Sequence, residues 1–313
     1  APNATDRLVP DSRTLDQGVY LTTQYGNARW NVQGGVRYDV RFLNAYDSDE
    51  EILSLTYKGF NASAGGVYHA DWATFRASFS SGYRAPHLTE LLSNGFHHGA
   101  LRYEIGDVDL NPEYARQADV TAELTVDHLV LLYNPFVNAI RDYIYLQPLG
   151  YDVDGIPAFA YDVLSEVVFY GNDVGIHYHP HFAHNLHFET TWSYINTKTP
   201  SDSSVSLLPP QRLQTTLKYS FEPTHKFGLR EVNVMHTFMG AQRRVAFMEA
   251  PSESYNVLDA AMAFGLSGKQ RWEFRLGVKN ILNERFIDHL SRLKNIAMPA
   301  PGRNFYLSIQ FKM

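Results

Sequence analysis

Strict period-two alternation of apolar and polar side chains predicts an all-β fold for these 313 residues, an antiparallel transmembrane β-barrel. Two further observations point the same way. The connections between alternating segments are short and long by turns, the layout of a barrel with tight turns at one membrane face and loops at the other. Aromatic residues make up 14% of the chain, 20 Tyr, 19 Phe and 4 Trp, which suits strands and a surface that meets both lipid and water.

The alternation is plainest from Ala28 to Phe42. Trp30, Val32, Val36, Tyr38, Val40 and Phe42 fall on one face, and Arg29, Asn31, Gln33, Arg37, Asp39 and Arg41 on the other. The same split sets Trp272, Phe274, Leu276 and Val278 against Arg271, Glu273, Arg275 and Lys279, and Phe305, Leu307, Ile309 and Phe311 against Tyr306, Ser308, Gln310 and Lys312. By this pattern thirteen strands are expected, at 16–25, 28–43, 55–69, 72–83, 114–126, 129–147, 158–180, 186–198, 211–222, 228–246, 254–267, 271–283 and 304–313. Short turns are expected at Gly26-Asn27, Ala70-Asp71, Asp127-His128, His181–Asn185, Pro223–Phe227 and Gly268–Gln270, and long loops at Asn44–Ser54, Arg84–Glu113, Pro200–Pro210 and Glu284–Arg303. A soluble β-sandwich is the rival fold, but its strands average about five or six residues and its core rejects Arg, Lys and Glu, which a watery lumen accepts. An odd strand count leaves one terminus on the far side, so further strands are expected upstream.

Composition excludes several classes. The formal charge of −6, from 27 Lys+Arg against 33 Asp+Glu, disfavours a nucleic-acid binder. No stretch approaches the roughly 18 apolar residues of a membrane helix. With no cysteine, disulfides, thiolate metal sites and cysteine nucleophiles are absent. No catalytic residues and no intrinsic cofactor are expected: Ser80, Ser81 and Ser193 stand in no recognised nucleophile setting, which leaves a barrel lipase or protease without support.

The most specific segment follows Gly82: Tyr83-Arg84-Ala85-Pro86, then Glu90-Leu91, then Leu110-Asn111-Pro112-Glu113 opening the next strand. With LLPPQRL at Leu207–Leu213, YNVLDAAMAF at Tyr255–Phe264, and GVKNILNERF leading to PGRNFYLSIQF near the end, this resembles the TonB-dependent outer-membrane receptors over nearly the whole chain. One departure is Lys312-Met313 where the family usually ends on an aromatic residue. The resemblance implies that residues 1–313 form the C-terminal portion of a receptor barrel of about 22 strands. Its remaining strands, about nine, and a plug domain would lie upstream, and it would work by active import through the TonB complex, with outer-membrane lipid around it.

The ligand reading rests on the long loop. His87, His97, His98 and Glu104 offer imidazole and carboxylate donors that suit zinc and similar divalent ions, and His97, His98 and Glu104 are the expected metal set. Within the family, Ser93–Asp107 resembles most the zinc-uptake branch; haem receptors also carry a histidine in this loop, so His97 or His98 as an axial haem ligand is the alternative, with a ferric siderophore behind it. Met248, Glu249, Asp288 and His289 are weaker ligand candidates at the same end. The plain alternative is a solvated His pair in a polar loop, and the rival function is a passive porin or adhesion barrel. Read as structural are His177, His179, His181, His184 and His187, taken as a periplasmic turn at headgroup level, and Glu123, Glu189, Glu222, Glu231 and Glu273, taken as lumen partners of Arg212, Lys218, Arg271 and Arg275.

Overall fold

The computed structural model describes residues 8–47, 50–201, 204–222, 227–266 and 271–312. The strands are β1 (Asp11–Gly26), β2 (Trp30–Asp47), β3 (Glu50–His69), β4 (Ala73–Arg84), β5 (Asn94–His97), β6 (Arg102–Ile105), β7 (Glu113–Val126), β8 (Leu129–Val153), β9 (Ile156–Tyr178), β10 (Leu186–Lys198), β11 (Arg212–Ser220), β12 (Phe227–Met239), β13 (Tyr255–Leu266), β14 (Arg271–Lys279) and β15 (Asn304–Lys312). A short helix, α1 (Leu88–Leu92), follows β4. Leaving aside β5 and β6, the strands pair antiparallel in chain order from β1 to β15, which are the two edges of an open sheet. Thirteen strands lie on this path, as expected.

Register explains which side meets which solvent. In β4, Arg76 Nη1 donates to Glu123 at 3.3 Å and Ser78 Oγ to Asp119 at 2.7 Å, so Thr74, Arg76 and Ser78 share a polar face with β7. The opposite face carries Phe75 and Phe79, and Phe79 is 51% exposed. Leu21, Val36 and Leu307 are likewise open, Leu21 at 69%, so the apolar face forms a band that only lipid would cover. Two compact apolar clusters lie away from this band, among residues of the long connections and the strand ends that meet them: Leu43, Leu91, Leu110 and Ile144, and Val167, Val205 and Leu208.

Three expectations need correction. The loop expected at Asn44–Ser54 is mostly strand, because β2 runs to Asp47 and β3 starts at Glu50. Strands that project into water need no apolar alternation, so the polar run gave no sign of pairing. β8 and β9 likewise extend to Val153 and from Ile156, closing on Asp154-Gly155 with φ of +53° and +77°. That dipeptide is a two-residue hairpin signal, since both positions need positive φ. Within the loop after Arg84 the chain forms the β5–β6 hairpin, and β6 pairs parallel with Ala158–Ala160 of β9, covering the edge of β9 that projects beyond β10.

Strand ends also shift. β12 stops at Met239, not 246, and β14 at Lys279, not 283. Asn280 and Asn283 adopt φ of +51° and +54°, and the Asn280 side chain exchanges hydrogen bonds with the backbone of Glu284 at 2.8 and 2.9 Å, so the ladder turns away there. The short turn at Asn27 is closed by Asn27 Oδ1, which accepts from the backbone of Arg29 and Trp30. Most of the turns expected at Pro223–Phe227 and Gly268–Gln270 lies outside the described residues.

The register predicts the outcome of cysteine scanning along β4 in the complete outer-membrane protein: a water-soluble thiol reagent excluded from lipid reaches position 76 and not position 75. The reverse pattern would place the strand one residue out of register. Phe79→Arg should lower barrel stability by about 2–4 kcal/mol if position 79 lies near the bilayer midplane, read from denaturant unfolding in detergent or lipid.

Candidate functional site

The long connections are assembled around Arg84, the last residue of β4. Its Nε donates to Glu113 Oε2 at 2.6 Å and its Nη1 to both oxygens of Glu90 at 3.0 and 2.9 Å. Glu113 Oε1 accepts from the backbone of Ile144 at 2.8 Å, and Glu90 Oε2 from the backbone of His87 at 2.6 Å. The Arg-Ala-Pro box, the Glu-Leu pair and the Asn-Pro-Glu element, up to about thirty positions apart in sequence, are therefore parts of one ion-paired junction beside the Leu91–Leu110 cluster. His87 sits at the start of α1 with its side chain exposed.

The β5–β6 hairpin presents the central candidates. His97 Nδ1 lies 2.8 Å from Glu104 Oε1, and Arg102 Nε donates to the same oxygen at 2.7 Å. Tyr161 Oη donates to Glu104 Oε2 at 3.4 Å, and the Arg102 guanidinium lies 5.3 Å from the centre of the Phe159 ring. Glu104 is 2% exposed; burial alone would raise its pKa, but the hydrogen bonds from His97 and Arg102 outweigh it and hold the carboxyl below its ordinary value. An ionised Glu104 accepts, so His97 donates from Nδ1, and its side chain is 44% exposed. His98 does not join them. It is exposed and meets the Phe96 ring edge-on at 4.6 Å. Gly106 is required because a Cβ there would meet the backbone of Leu91 and Leu92 within 2.7 Å, and the loop is stitched at this point by bonds to Ser93 and Glu90 carbonyls.

The weaker candidates form a second group between the loops at 240–254 and 280–303. His289, 1% exposed, has Nδ1 3.0 Å from Ser252 Oγ and 3.3 Å from Lys294 Nζ, and Nε2 3.2 Å from Glu249 Oε1. Lys294 Nζ donates to Glu249 at 3.0 Å, and Glu249 also accepts from the backbones of Leu207 and Ala246 at 3.1 Å. Hydroxyl, imidazole and carboxylate stand in the order of a nucleophilic triad, yet Lys294 occupies the same imidazole nitrogen as Ser252, and Ser252, His289 and Lys294 are all buried. The arrangement is a latch between loops. Desolvation and Lys294 push the His289 pKa down, against the opposing pull of Glu249 and Asp288. Asp288 accepts from Tyr255 Oη at 2.8 Å, while Met248 is exposed beside Gly150 of β8.

Sequence reading missed Arg102, Tyr161, Ser252 and Lys294. Arg102 had a signal, since it lies two residues from Glu104 on an alternating segment. The others come from distant chain and had none. Of the lumen carboxylates, Glu231 and Glu273 meet Arg275 at 3.3 and 3.6 Å and Glu123 meets Arg76, while Lys218 stands directly opposite His187. Among the described residues, no three His, Asp or Glu side chains converge into a group able to hold a metal ion.

A family model described as TonB dependent receptor-like, beta-barrel, matches residues 1–281. No curated protein sequence matches the chain. Solved structures similar in fold include the copper transporter OprC, at 17% identity and a TM-score of 0.79 over 96% of this chain and 48% of that one. The FrpB iron transporter from Neisseria meningitidis aligns at 17% identity and a TM-score of 0.71, over 96% and 46% of the two chains. The Serratia marcescens hemophore receptor HasR, in complex with its hemophore HasA and heme, aligns at 17% identity and 0.70, over 96% and 52%. The chain spans about half the length of these structures.

The latch should respond to acid. A depressed histidine pKa stabilises the folded state fully above the ordinary histidine value, about 6.5, and that contribution is lost as pH falls through the folded value. Hydrogen exchange at the reciprocally bonded amides of Gln242 and Ser252 should therefore accelerate as pH drops below that range, after correction for the intrinsic rate. Protection independent of pH would mean that His289 titrates freely.

Proposed function

The chain belongs to the TonB-dependent receptor β-barrels of the bacterial outer membrane, and from that premise we propose that it builds the wall and loops of an importer whose cargo is a metal ion or small metal complex, with zinc first. The single observation that supports a metal cargo is the orientation of His97. Its Nδ1–H is engaged by the buried, ionised Glu104, which fixes tautomer and ring and leaves Nε2 free toward solvent. Histidines that ligate metals are held in this way, with the far nitrogen bonded to a carboxylate.

In this reading Glu104 orients the ligand and does not itself coordinate, because Oε1 is shared by His97 and Arg102 and Oε2 is met by Tyr161. His97 Nε2 supplies one donor, and His98 and His87 are exposed donors on the same connection that reach the ion only by loop rearrangement. Met248, Asp288 and His289 belong to the second group; of these, His289 is committed to the latch and Asp288 to Tyr255, so neither serves as a ligand without opening it. Haem is the second reading, supported by the exposed His98 beside Phe96, an imidazole and an aromatic face of the kind that holds a planar macrocycle. Transport draws on the plug, the remaining strands and the TonB complex of the complete receptor.

Calorimetry of the complete receptor with zinc tests the reading. The H97A/H98A variant should bind zinc at least tenfold more weakly while keeping the heat-modifiable gel mobility of a folded barrel, and wild-type affinity should fall as pH drops through the imidazole range because a protonated ring has no lone pair to donate. A Soret shift on mixing with haem that disappears in the same variant would favour haem. Unchanged affinity for both ligands removes the pair from the binding site.

A further inference from the structure

Six of the chain's 13 histidines gather at the opposite end of the sheet, where β8, β9 and β10 meet the short turns: His128, His177, His179, His181, His184 and His187. Register decides which way they face. His177 lies opposite both Val130 and Glu189, and Asp173 lies opposite Asn134 and Ser193, so this parity is the polar face. His179, whose backbone N–H donates to His128 O at 3.1 Å, and His187, two residues before Glu189, share it. The other face carries Leu131, Ile176, Tyr178 and Phe188. Of the five histidines read as lying at headgroup level, His177, His179 and His187 therefore point to the inner rim and not to lipid, and His128, bonded to His179 through the backbone, lies beside them.

The rings meet in two hydrogen-bonded pairs: His128 Nδ1 and His179 Nδ1 are 3.0 Å apart, and His177 Nε2 and His187 Nδ1 are 3.3 Å apart, a separation that an ion taking the place of the shared proton would also span. Two nitrogens bound to one ion at about 2.0–2.1 Å are separated by about 2.8–3.4 Å, from square-planar to tetrahedral geometry. The His181 ring packs edge-on at 3.8 Å from the His128 ring, and Glu189 lies 3.9 Å from His177. Lys218, opposite His187, adds a positive charge, and Asp127 and Glu189 counter it.

We propose that the pairs His128–His179 and His177–His187 are two-imidazole sites for borderline divalent transition metals, Zn2+ through Cu2+, on the inner rim of the short-turn end, with water completing each coordination sphere. Imidazole selects these ions over Ca2+ and Mg2+, which take oxygen ligands. In the family's orientation this rim faces the periplasm, so an ion held here would be on the exit side of the barrel. The site stands on its own geometry and does not depend on the identity of the cargo.

The test uses Cu2+ with the complete receptor in detergent, in an H87A/H97A/H98A background so that the exposed histidines of the long loop contribute nothing. Wild-type short-turn histidines should bind up to two equivalents with nitrogen superhyperfine splitting in the electron paramagnetic resonance spectrum. H128Q/H179Q and H177Q/H187Q should each lose one equivalent or bind it at least tenfold more weakly. The same copper stoichiometry and spectrum in both double variants, or no nitrogen-bound copper before they are made, overturns the proposal. A second measurement needs no folded variant: Zn2+ should protect His128, His177, His179 and His187 of the unmodified protein from diethyl pyrocarbonate, read by mass spectrometry, and full modification in the presence of Zn2+ refutes it.

Discussion

Every backbone N–H and C=O of a strand that crosses hydrocarbon must find a partner in a neighbouring strand, and this requirement organises the whole chain. It is met here in the simplest order: apart from the β5–β6 hairpin, each strand pairs with the next in sequence from β1 to β15, so chain order is spatial order along the sheet. Once the ladder is set, the two-residue side-chain period sends one set outward and the other inward without further choice. The outward set, Leu21, Val36, Phe79 and Leu307 among it, is exposed. The inward set finds its own partners across strands, as in Arg76 with Glu123 and Arg275 with Glu231 and Glu273.

A wall of this kind has no interior to bury, and apolar packing is displaced to the long connections. Arg84 is where the two regimes join. It ends a strand whose pairing serves the membrane, and its guanidinium holds Glu90 and Glu113 so that α1 and the start of β7 are fixed relative to that strand. The fork geometry of arginine serves both carboxylates at once, which a lysine would not do. From this junction the β5–β6 hairpin is carried onto the projecting edge of β9, and the edge that would otherwise stand open is covered.

Charge is handled differently in the three histidine-bearing regions, and burial decides which chemistry each supports. Glu104 is buried but hydrogen-bonded by His97, Arg102 and Tyr161, so it stays ionised and orients His97 toward solvent. His289 is buried beside Lys294, so neutrality is favoured and the imidazole serves as a bridge within a closed loop contact. At the short-turn rim His128 stands among other imidazoles with its donors accessible, and ring nitrogens approach one another at ligand spacing. The same residue type is thus an oriented donor, a structural bridge and a member of an open cluster.

The sequence by itself determined the strands, their faces and their order, because these depend on relations two residues apart and on short connections that leave neighbours no alternative pairing. It determined the family through the Tyr83–Pro86, Glu90-Leu91 and Leu110–Glu113 elements, although not what joins them in space, which is the ion pairing at Arg84. Where strands rise into water, toward Asp47, from Glu50, and at Val153 and Ile156, alternation is not required and the sequence marks only the turn, by Asp154-Gly155. The groupings that matter for function were decided only by tertiary structure. His97 and Glu104 meet because a hairpin closes, His289 and Glu249 because two loops fold together, and His128 and His179 because two turns lie side by side at the end of one hairpin. Each of those approaches spans chain that local periodicity does not describe, and only the strands beneath, once paired in register, bring the partners within contact distance of each other.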